Sequence, residues 1–166
     1  MKIVYFPGLN CALASERVTF FRTLCEVFTP EIANRSFDET KGALERFARD
    51  LIEKQDADEL VLVGAGLGGY WVEQIGSLCE VKSVLINPSM RPVVTLGLPY
   101  PDLQPRRIFP RKILLAKDEA GLDYRIALQV YSAVASVTVY ETGAESMLNA
   151  AEIYAQAVRI HNTMTG

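Results

Sequence analysis

Short aliphatic runs alternate along this chain with longer segments whose apolar residues recur every three or four positions. The runs predict buried strands, and they lie at Lys2–Phe6 and at residues 60–63, 81–86, 112–116 and 137–140. The longer segments have the period of amphipathic helices. Strands separated by helices of this length indicate βαβ crossovers, and therefore a mainly parallel sheet covered on both faces. The expected fold class is a three-layer α/β/α domain.

The predicted helices are recognised by their apolar stripes. In chain order the stripes are Val18, Phe21, Cys25 and Phe28; Leu44, Phe47, Ala48, Leu51 and Ile52; Val72, Ile75 and Cys79; Tyr124, Ala127, Leu128, Tyr131 and Ala135; and Met147, Ala151, Tyr154 and Val158. Ser15 is expected to cap the first helix and Pro30 to end it, and residues 31–35 are a weak strand candidate. Residues 89–110 are rich in proline and lose the periodicity, so we expect a long excursion over the sheet.

Composition narrows the classes of function. The chain has 166 residues, 49% of them apolar and 22% charged, which fits one soluble domain spanning residues 1–166. A net charge of −3 without a basic stripe argues against a nucleic-acid partner, and no apolar run reaches the length of a membrane span. The three widely spaced cysteines, Cys11, Cys25 and Cys79, indicate reduced thiols and a cytoplasmic location rather than disulfides or zinc.

A glycine-rich turn follows the strand at residues 60–63, at the edge where parallel sheets place their sites. Gly64, Gly66 and Gly69 satisfy the G-x-G-x-x-G dinucleotide fingerprint. Gly64 and Gly68 also occupy the flanking positions of a G-x-S-x-G nucleophile elbow, with Gly66 in the place of the serine. A third interpretation needs no ligand, because small residues simply let a helix pack close to a sheet.

The dinucleotide interpretation is the weaker of the two functional ones. The fingerprint normally lies on the first strand of its fold, whereas here a strand and two predicted helices come first. The next predicted strand ends in Asn87-Pro88 and not in the acidic residue that would bind a ribose.

Four motifs resemble those of a known family. In chain order they are Pro7-Gly8-Leu9-Asn10, residues 64–71 (GAGLGGYW), residues 86–92 (INPSMRP), and Asp118-Glu119 with Asp123-Tyr124-Arg125. Together they resemble the small bacterial α/β-hydrolase-fold family of YqiA/YcfP-type esterases, over essentially the whole chain. The sequence is most similar to the YcfP branch, which also has glycine at the elbow. The resemblance implies a minimal α/β-hydrolase fold.

The same resemblance implies a set of site residues. It assigns the nucleophile position to Gly66, the triad acid to Asp118 and the triad histidine to Glu145, the last in a poorly matched turn after the final strand. The backbone N–H groups of Leu9 and Leu67 would be the oxyanion-hole donors. Two of the three triad members are therefore missing from the scaffold that the family uses for ester hydrolysis.

Other residues offer little to replace the missing groups. The only histidine, His161, is interpreted as a solvated residue close to the end of the chain. Cys11, in the loop after the first strand, is a candidate displaced nucleophile, but no histidine accompanies it to lower its pKa. Ser89 lacks a base in the same way, and Cys25 and Cys79 are interpreted as core residues.

Asp118 and Glu145 could face each other across the vacant triad site. Two carboxylates can share a proton or bind a divalent cation, and they can equally be two solvated loop residues. No third ligand has a convincing spacing, and Arg91 or Arg125 could instead neutralise Asp118. We therefore expect no metal and no cofactor.

The leading functional hypothesis is a non-catalytic α/β-hydrolase-fold protein that binds a small molecule or another protein. The alternative is a weak esterase or thioesterase with Cys11 as a displaced nucleophile. A dinucleotide-binding protein is the third hypothesis. The sequence specifies neither the ligand nor the partner.

Overall fold

The computed structural model describes most of the chain, and of residues 11–13 only the backbone; the described ranges are 1–8, 11–31, 36–89, 110–117, 124–141 and 149–163. In these ranges the strands are β1 (Lys2–Phe6), β2 (Val27–Phe28), β3 (Leu60–Ala65), β4 (Ser83–Ile86), β5 (Arg111–Ala116) and β6 (Ser136–Tyr140). The helices are α1 (Cys11–Arg22), α2 (Phe37–Lys54), α3 (Leu67–Cys79), α4 (Tyr124–Tyr131) and α5 (Ala150–His161), and a 3₁₀ turn lies at Ala57–Glu59.

The strands form one sheet in the order β2-β1-β3-β4-β5-β6. Each described pair of neighbouring strands is parallel; Tyr5 is opposite Val63, for example, and Val63 is opposite Val84. Because the strands are parallel, their carboxyl ends all meet at one edge of the sheet. The structure confirms the predicted parallel sheet.

Alternating residues of each strand face the two opposite helical layers. On β1, Val4 and Phe6 belong to a buried cluster that also contains residues of α2, α3 and α4, whereas Ile3 and Tyr5 belong to a second cluster with residues of α1 and α5. Strands buried on both faces must be aliphatic throughout, which is why β3 and β4 have no polar alternation. The three-layer α/β/α architecture is confirmed. None of the described helices is both long and apolar enough to cross a bilayer.

The beginning and end of the first helix differ from the prediction. α1 begins at Cys11 and ends at Arg22, so Ser15 is an exposed residue inside it and not its cap. The amide of Cys25 closes the helix by donating to the carbonyl of Phe21, at 2.9 Å. Residues 27 and 28 then form the edge strand β2 beside β1. Two residues are too few to show the alternation of a strand, so Phe28 fitted the helical period by coincidence.

The weak strand candidate at residues 31–35 is wrong where the structure describes it. Glu31 lies outside any strand, and residues 32–35 lie outside the described residues. The edge strand that the sheet does use comes immediately before, at Val27–Phe28, where a β-branched and an aromatic side chain suit a pleated surface. The fourth helix also ends at Tyr131, before Ala135.

Sequence-encoded caps fix the start of α2. The hydroxyl of Ser36 accepts from the amide of Glu39, and the carboxylate of Glu39 accepts from the amide of Ser36 at 3.1 Å. This reciprocal pair is a capping box. The apolar stripe that follows is confirmed: Leu44, Ala48 and Leu51 are buried against the sheet.

A buried ionic cluster joins α3 to β5 and α4. A guanidinium nitrogen of Arg111 lies 3.4 Å from a carboxylate oxygen of Glu73, and the two side chains are only 5% and 2% exposed. The hydroxyl of Ser77 donates to the same carboxylate at 3.1 Å and accepts from Arg111 at 3.2 Å. Burial raises the pKa of Glu73, and the charge of Arg111 and the hydroxyls of Ser77 and Tyr131 oppose this only in part. The carboxylate therefore loses more from desolvation than it gains from its partners.

This balance makes the effect of Glu73→Gln dependent on pH. A raised folded-state pKa contributes stability below the ordinary glutamate pKa of about 4.3, and that contribution disappears as the pH rises through the folded value. The unfolding free energy of the native protein minus that of Glu73→Gln should therefore fall as the pH rises above about 4.3, with a slope of at most about 1.4 kcal/mol per pH unit. Urea denaturation over a pH series measures it. A difference that rises with pH would mean that Arg111 outweighs burial.

Candidate functional site

The turn from β3 to α3 has the backbone of a strained elbow. Gly66 has a φ of 54° and a ψ of −118°, a region that residues with a side chain rarely occupy. Its amide donates to the carbonyl of Ile86 at 2.9 Å, and its carbonyl accepts from the amides of Tyr70 at 3.1 Å and Ser89 at 3.0 Å. A Cβ placed at Gly66 would meet no heavy atom of the described residues within 4 Å. The backbone of position 66 is therefore hydrogen-bonded on both sides, and no described residue crowds the place where its side chain would lie.

The glycines on either side are required for a different reason. A Cβ on Gly64 would lie 2.4 Å from the carbonyl oxygen of Gly68, and one on Gly68 would lie 2.0 Å from that of Phe6. These are backbone atoms, which cannot rotate away as a side chain can. Close packing thus demands glycine at both flanking positions of G-x-S-x-G but places no demand on Gly66. This pattern favours the elbow interpretation over the dinucleotide fingerprint.

Gly8, two residues after β1, packs against the elbow. A Cβ on Gly8 would lie 2.7 Å from the carbonyl oxygen of Ala65, so the two turns are in backbone contact. Leu67 is the first residue of α3, and the first amides of a helix have no acceptor within it. The amide of Leu67 therefore needs no acceptor within α3, and its assignment as an oxyanion donor stays a prediction.

The other predicted site residues lie outside the described residues. Leu9, Asp118 and Glu145 are among them, and so is the side chain of Cys11. Their assignments as second oxyanion donor, triad acid, triad-histidine position and displaced nucleophile stay predictions. Of the predicted set, the structure describes only Gly66 and Leu67, which are neighbours in the sequence.

Sequence reasoning missed a role for Asn87. This residue follows β4 with a positive φ of 40° and is only 6% exposed. Its amide donates to the carbonyl of Leu114 at 2.8 Å, and its side-chain oxygen accepts from the amide of Ala116, also at 2.8 Å. Asparagine directly after an aliphatic strand was the available signal, because asparagine tolerates the left-handed conformation.

The ends of β5 and β6 are joined by a backbone hydrogen bond and an ion pair. The amide of Lys117 donates to the carbonyl of Tyr140 at 3.1 Å, and its ammonium group pairs with the carboxylate of Glu141. The hydrogen bond to Glu141 raises the pKa of Lys117. Both chain segments then run into residues outside the described part. Arg125 lies over the ring of Tyr124, 6.0 Å from its centre. Its predicted pairing with Asp118 is not tested, because Asp118 lies outside the described residues.

The only histidine of the sequence lies at the opposite edge of the sheet. His161 is the last residue of α5, and its carbonyl accepts from the side chain of Lys82, which immediately precedes β4, at 3.0 Å. Partial burial lowers its pKa, and the charges of the N-terminus and Lys82 lower it further. The prediction of a solvated tail residue is wrong, because His161 packs at a helix end. β4 separates it from the elbow, so it cannot serve as a base there.

Two of the three cysteines are core residues, as predicted. Cys25 and Cys79 are partly buried and pack against the two apolar clusters. Burial raises the pKa of both thiols, so neither is an activated nucleophile.

Comparison with known proteins identifies the family. The sequence model of the uncharacterised protein family UPF0227 matches residues 3–97, more than half of the chain. The protein belongs to this family. Among curated UPF0227 proteins, one from Pectobacterium carotovorum is 38% identical over 47 residues, covering 28% of this chain and 26% of that protein. One from Shewanella woodyi is 57% identical over 37 residues, covering 22% of this chain and 21% of that protein. The matched segments thus span about a quarter of these relatives, and the resemblance to YqiA/YcfP-type proteins is confirmed.

Solved structures show the fold of this UPF0227 protein. Est1E from Butyrivibrio proteoclasticus superposes with a TM-score of 0.70 over 98% of this chain and 88% of its own, at 11% identity. A predicted CIB-like hydrolase from Thermoplasma acidophilum gives a TM-score of 0.66 over 98% and 86%, at 13% identity. Naproxen esterase from Bacillus subtilis gives 0.66 over 97% and 83%, at 12% identity. The chain has an α/β-hydrolase fold.

The packing of the elbow predicts different tolerances at its three central glycines. Gly66→Ala should cost about 1–3 kcal/mol of unfolding free energy, the usual cost of a side chain in a strained backbone region. Gly68→Ala and Gly64→Ala should cost more, since backbone must move to admit the methyl group. Urea denaturation of the three variants gives the ranking. Equal losses at positions 66 and 68 would contradict the idea that packing spares position 66.

Proposed function

We propose that this protein is a non-catalytic α/β-hydrolase-fold protein, which binds a small molecule or a protein partner at the carboxyl edge of its sheet. The observation that carries the proposal is Gly66: the elbow has its strained geometry, and no described residue fills the space for a nucleophile's side chain, but the residue carries no side chain. The turn has the backbone of a nucleophile elbow, but position 66 has no hydroxyl or thiol that could attack an ester.

The chemistry of ester hydrolysis supports the same conclusion. Serine attack needs a hydroxyl and a base within hydrogen-bond reach. Removing the nucleophile of such a triad costs about 10⁶-fold in rate. The sequence has one histidine, and it lies at the far edge of the sheet. A carboxylate with an ordinary pKa of about 4.3 is a poor base near neutral pH.

A second candidate, a weak esterase or thioesterase, is favoured by one feature of the backbone. Cys11 is the first residue of α1, and a helix N-terminus lowers the pKa of a thiol. The strand that precedes α1 in the chain, β1, contacts the elbow helix. A thiolate there would be the displaced nucleophile. The neighbours described as esterases support only the scaffold for this chemistry.

Hydrolysis assays separate the two candidates. We expect the native protein to hydrolyse p-nitrophenyl acetate and a short-chain acyl thioester no faster than buffer. Turnover that is abolished in Cys11→Ala but kept in Cys25→Ala, a matched core-cysteine control, would replace the proposed function with the thioesterase. Saturable binding of NAD(H) that Gly66→Ser weakens would instead support the dinucleotide hypothesis.

Restoring the missing groups tests the proposal from the other side. Gly66→Ser alone should remain inactive, because the serine would have no base. Gly66→Ser combined with Glu145→His should hydrolyse p-nitrophenyl acetate measurably faster than Gly66→Ala with Glu145→His, the matched control without a hydroxyl. Activity of the single Gly66→Ser variant equal to that of the double variant would show that a base is already present and contradict the proposal.

A further inference from the structure

Ile86 at the end of β4 and the three residues after it contact the elbow on one side and β5 on the other. On the elbow side, the carbonyl of Ile86 accepts from Gly66, and the amide of Ser89 donates to the carbonyl of Gly66. A Cβ on Gly69 would lie 3.1 Å from Pro88, so this segment also packs directly on α3. On the β5 side Asn87 makes two hydrogen bonds: its backbone amide donates to the carbonyl of Leu114, and its side-chain oxygen accepts from the amide of Ala116.

Asn87 replaces a backbone acceptor where the ladder ends. The β4–β5 pairing stops at Ile86 opposite Leu114, because the chain turns away at Asn87 with a positive φ. The amide of Ala116 lies beyond this point and takes the side-chain oxygen of Asn87 instead, at 2.8 Å. A buried amide without an acceptor would be costly. Two properties are needed here together: a left-handed backbone and a short side chain with an acceptor oxygen, which asparagine and aspartate combine.

We propose that Asn87 is a positioning residue that holds the carboxyl end of β5 in a fixed relation to the elbow at Gly66. The connection is short: Gly66 is bonded to Ile86 and Ser89, and Asn87 between them is bonded to Ala116. Ala116 is two residues before Asp118 in the sequence. The inference goes beyond the proposed function, because it concerns the geometry of the edge whether or not the edge binds a ligand.

The proposal is tested with a thiol placed at the elbow. In Gly66→Cys, the rate of alkylation by iodoacetamide is measured against pH, with the modified peptide identified by mass spectrometry to exclude the native cysteines. The N-terminus of α3 should lower the pKa of this thiol. Adding Asn87→Gly keeps the positive φ but removes the acceptor, so we expect the turn to loosen and the alkylation midpoint to move to higher pH, with about a threefold lower rate at neutral pH.

Two controls distinguish positioning from simple stabilisation. Asn87→Asp keeps both the acceptor and the left-handed backbone but adds a carboxylate near the thiol, so it is compared by hydrogen exchange, where the amide of Ala116 should stay protected as in the native protein. Asp56→Gly removes a similar bond, to the amide of Asp58 at 3.0 Å, at the opposite edge, and should leave the alkylation profile unchanged. An alkylation profile unaffected by Asn87→Gly, or equally shifted by Asp56→Gly, would overturn the proposal.

A measurement on the native protein keeps the proposal testable if Asn87→Gly does not fold. Hydrogen exchange should show the amide of Ala116 protected to about the same degree as the interior amides of β5, because its acceptor is a buried side chain. Exchange of this amide as fast as that of an exposed turn would show that Asn87 does not hold the strand end, and would overturn the proposal.

Discussion

The approach of α3 to the end of β1 constrains the rest of this structure. Gly68 leaves no room for a methyl group beside the carbonyl of Phe6, and Gly64 leaves none beside the carbonyl of Gly68. The elbow helix can approach the sheet this closely only because both residues lack a side chain. The approach brings the first turn of α3 to the carboxyl edge, where Gly8 packs against Ala65 at the end of β3.

Around that contact the carboxyl ends of the central strands are connected one to the next. Gly66 is bonded to the segment after β4, Asn87 in that segment to the end of β5, and Lys117 to the end of β6. These hydrogen bonds order the described part of the edge. The order does not depend on a side chain at position 66, because Gly66 is bonded to the segment after β4 through its backbone alone.

A buried ion pair constrains the middle of α3. Glu73 and Arg111 are buried together, and removing both charges from water costs free energy that their attraction must offset. The burial that raises the pKa of Glu73 also makes the pair sensitive to its packing. The helix that carries the elbow is thus held by backbone contact at its first turn and by a desolvated ion pair near its middle.

Whether the sequence predicted a feature depended on how far apart in the chain its interacting residues lie. The aliphatic strands, the stripe of α2 and the G-x-G-x-G elbow were all evident, because local periodicity and turn chemistry specify them. The two-residue strand β2 was missed, since so short a pairing leaves no pattern. The place of His161 was also missed, because the end of α5 meets Lys82 only through the packing of distant segments.

The sequence by itself determined the parallel α/β fold and the presence of glycine at the central position of an elbow-like G-x-G-x-G turn. Both follow from residue types and spacing alone. Only the tertiary structure decided which glycines are sterically required, that no described residue crowds position 66, and that Asn87 links the elbow to β5. The physical reason is that these features depend on how closely the fold brings separate strands and turns together, and no local pattern records that distance.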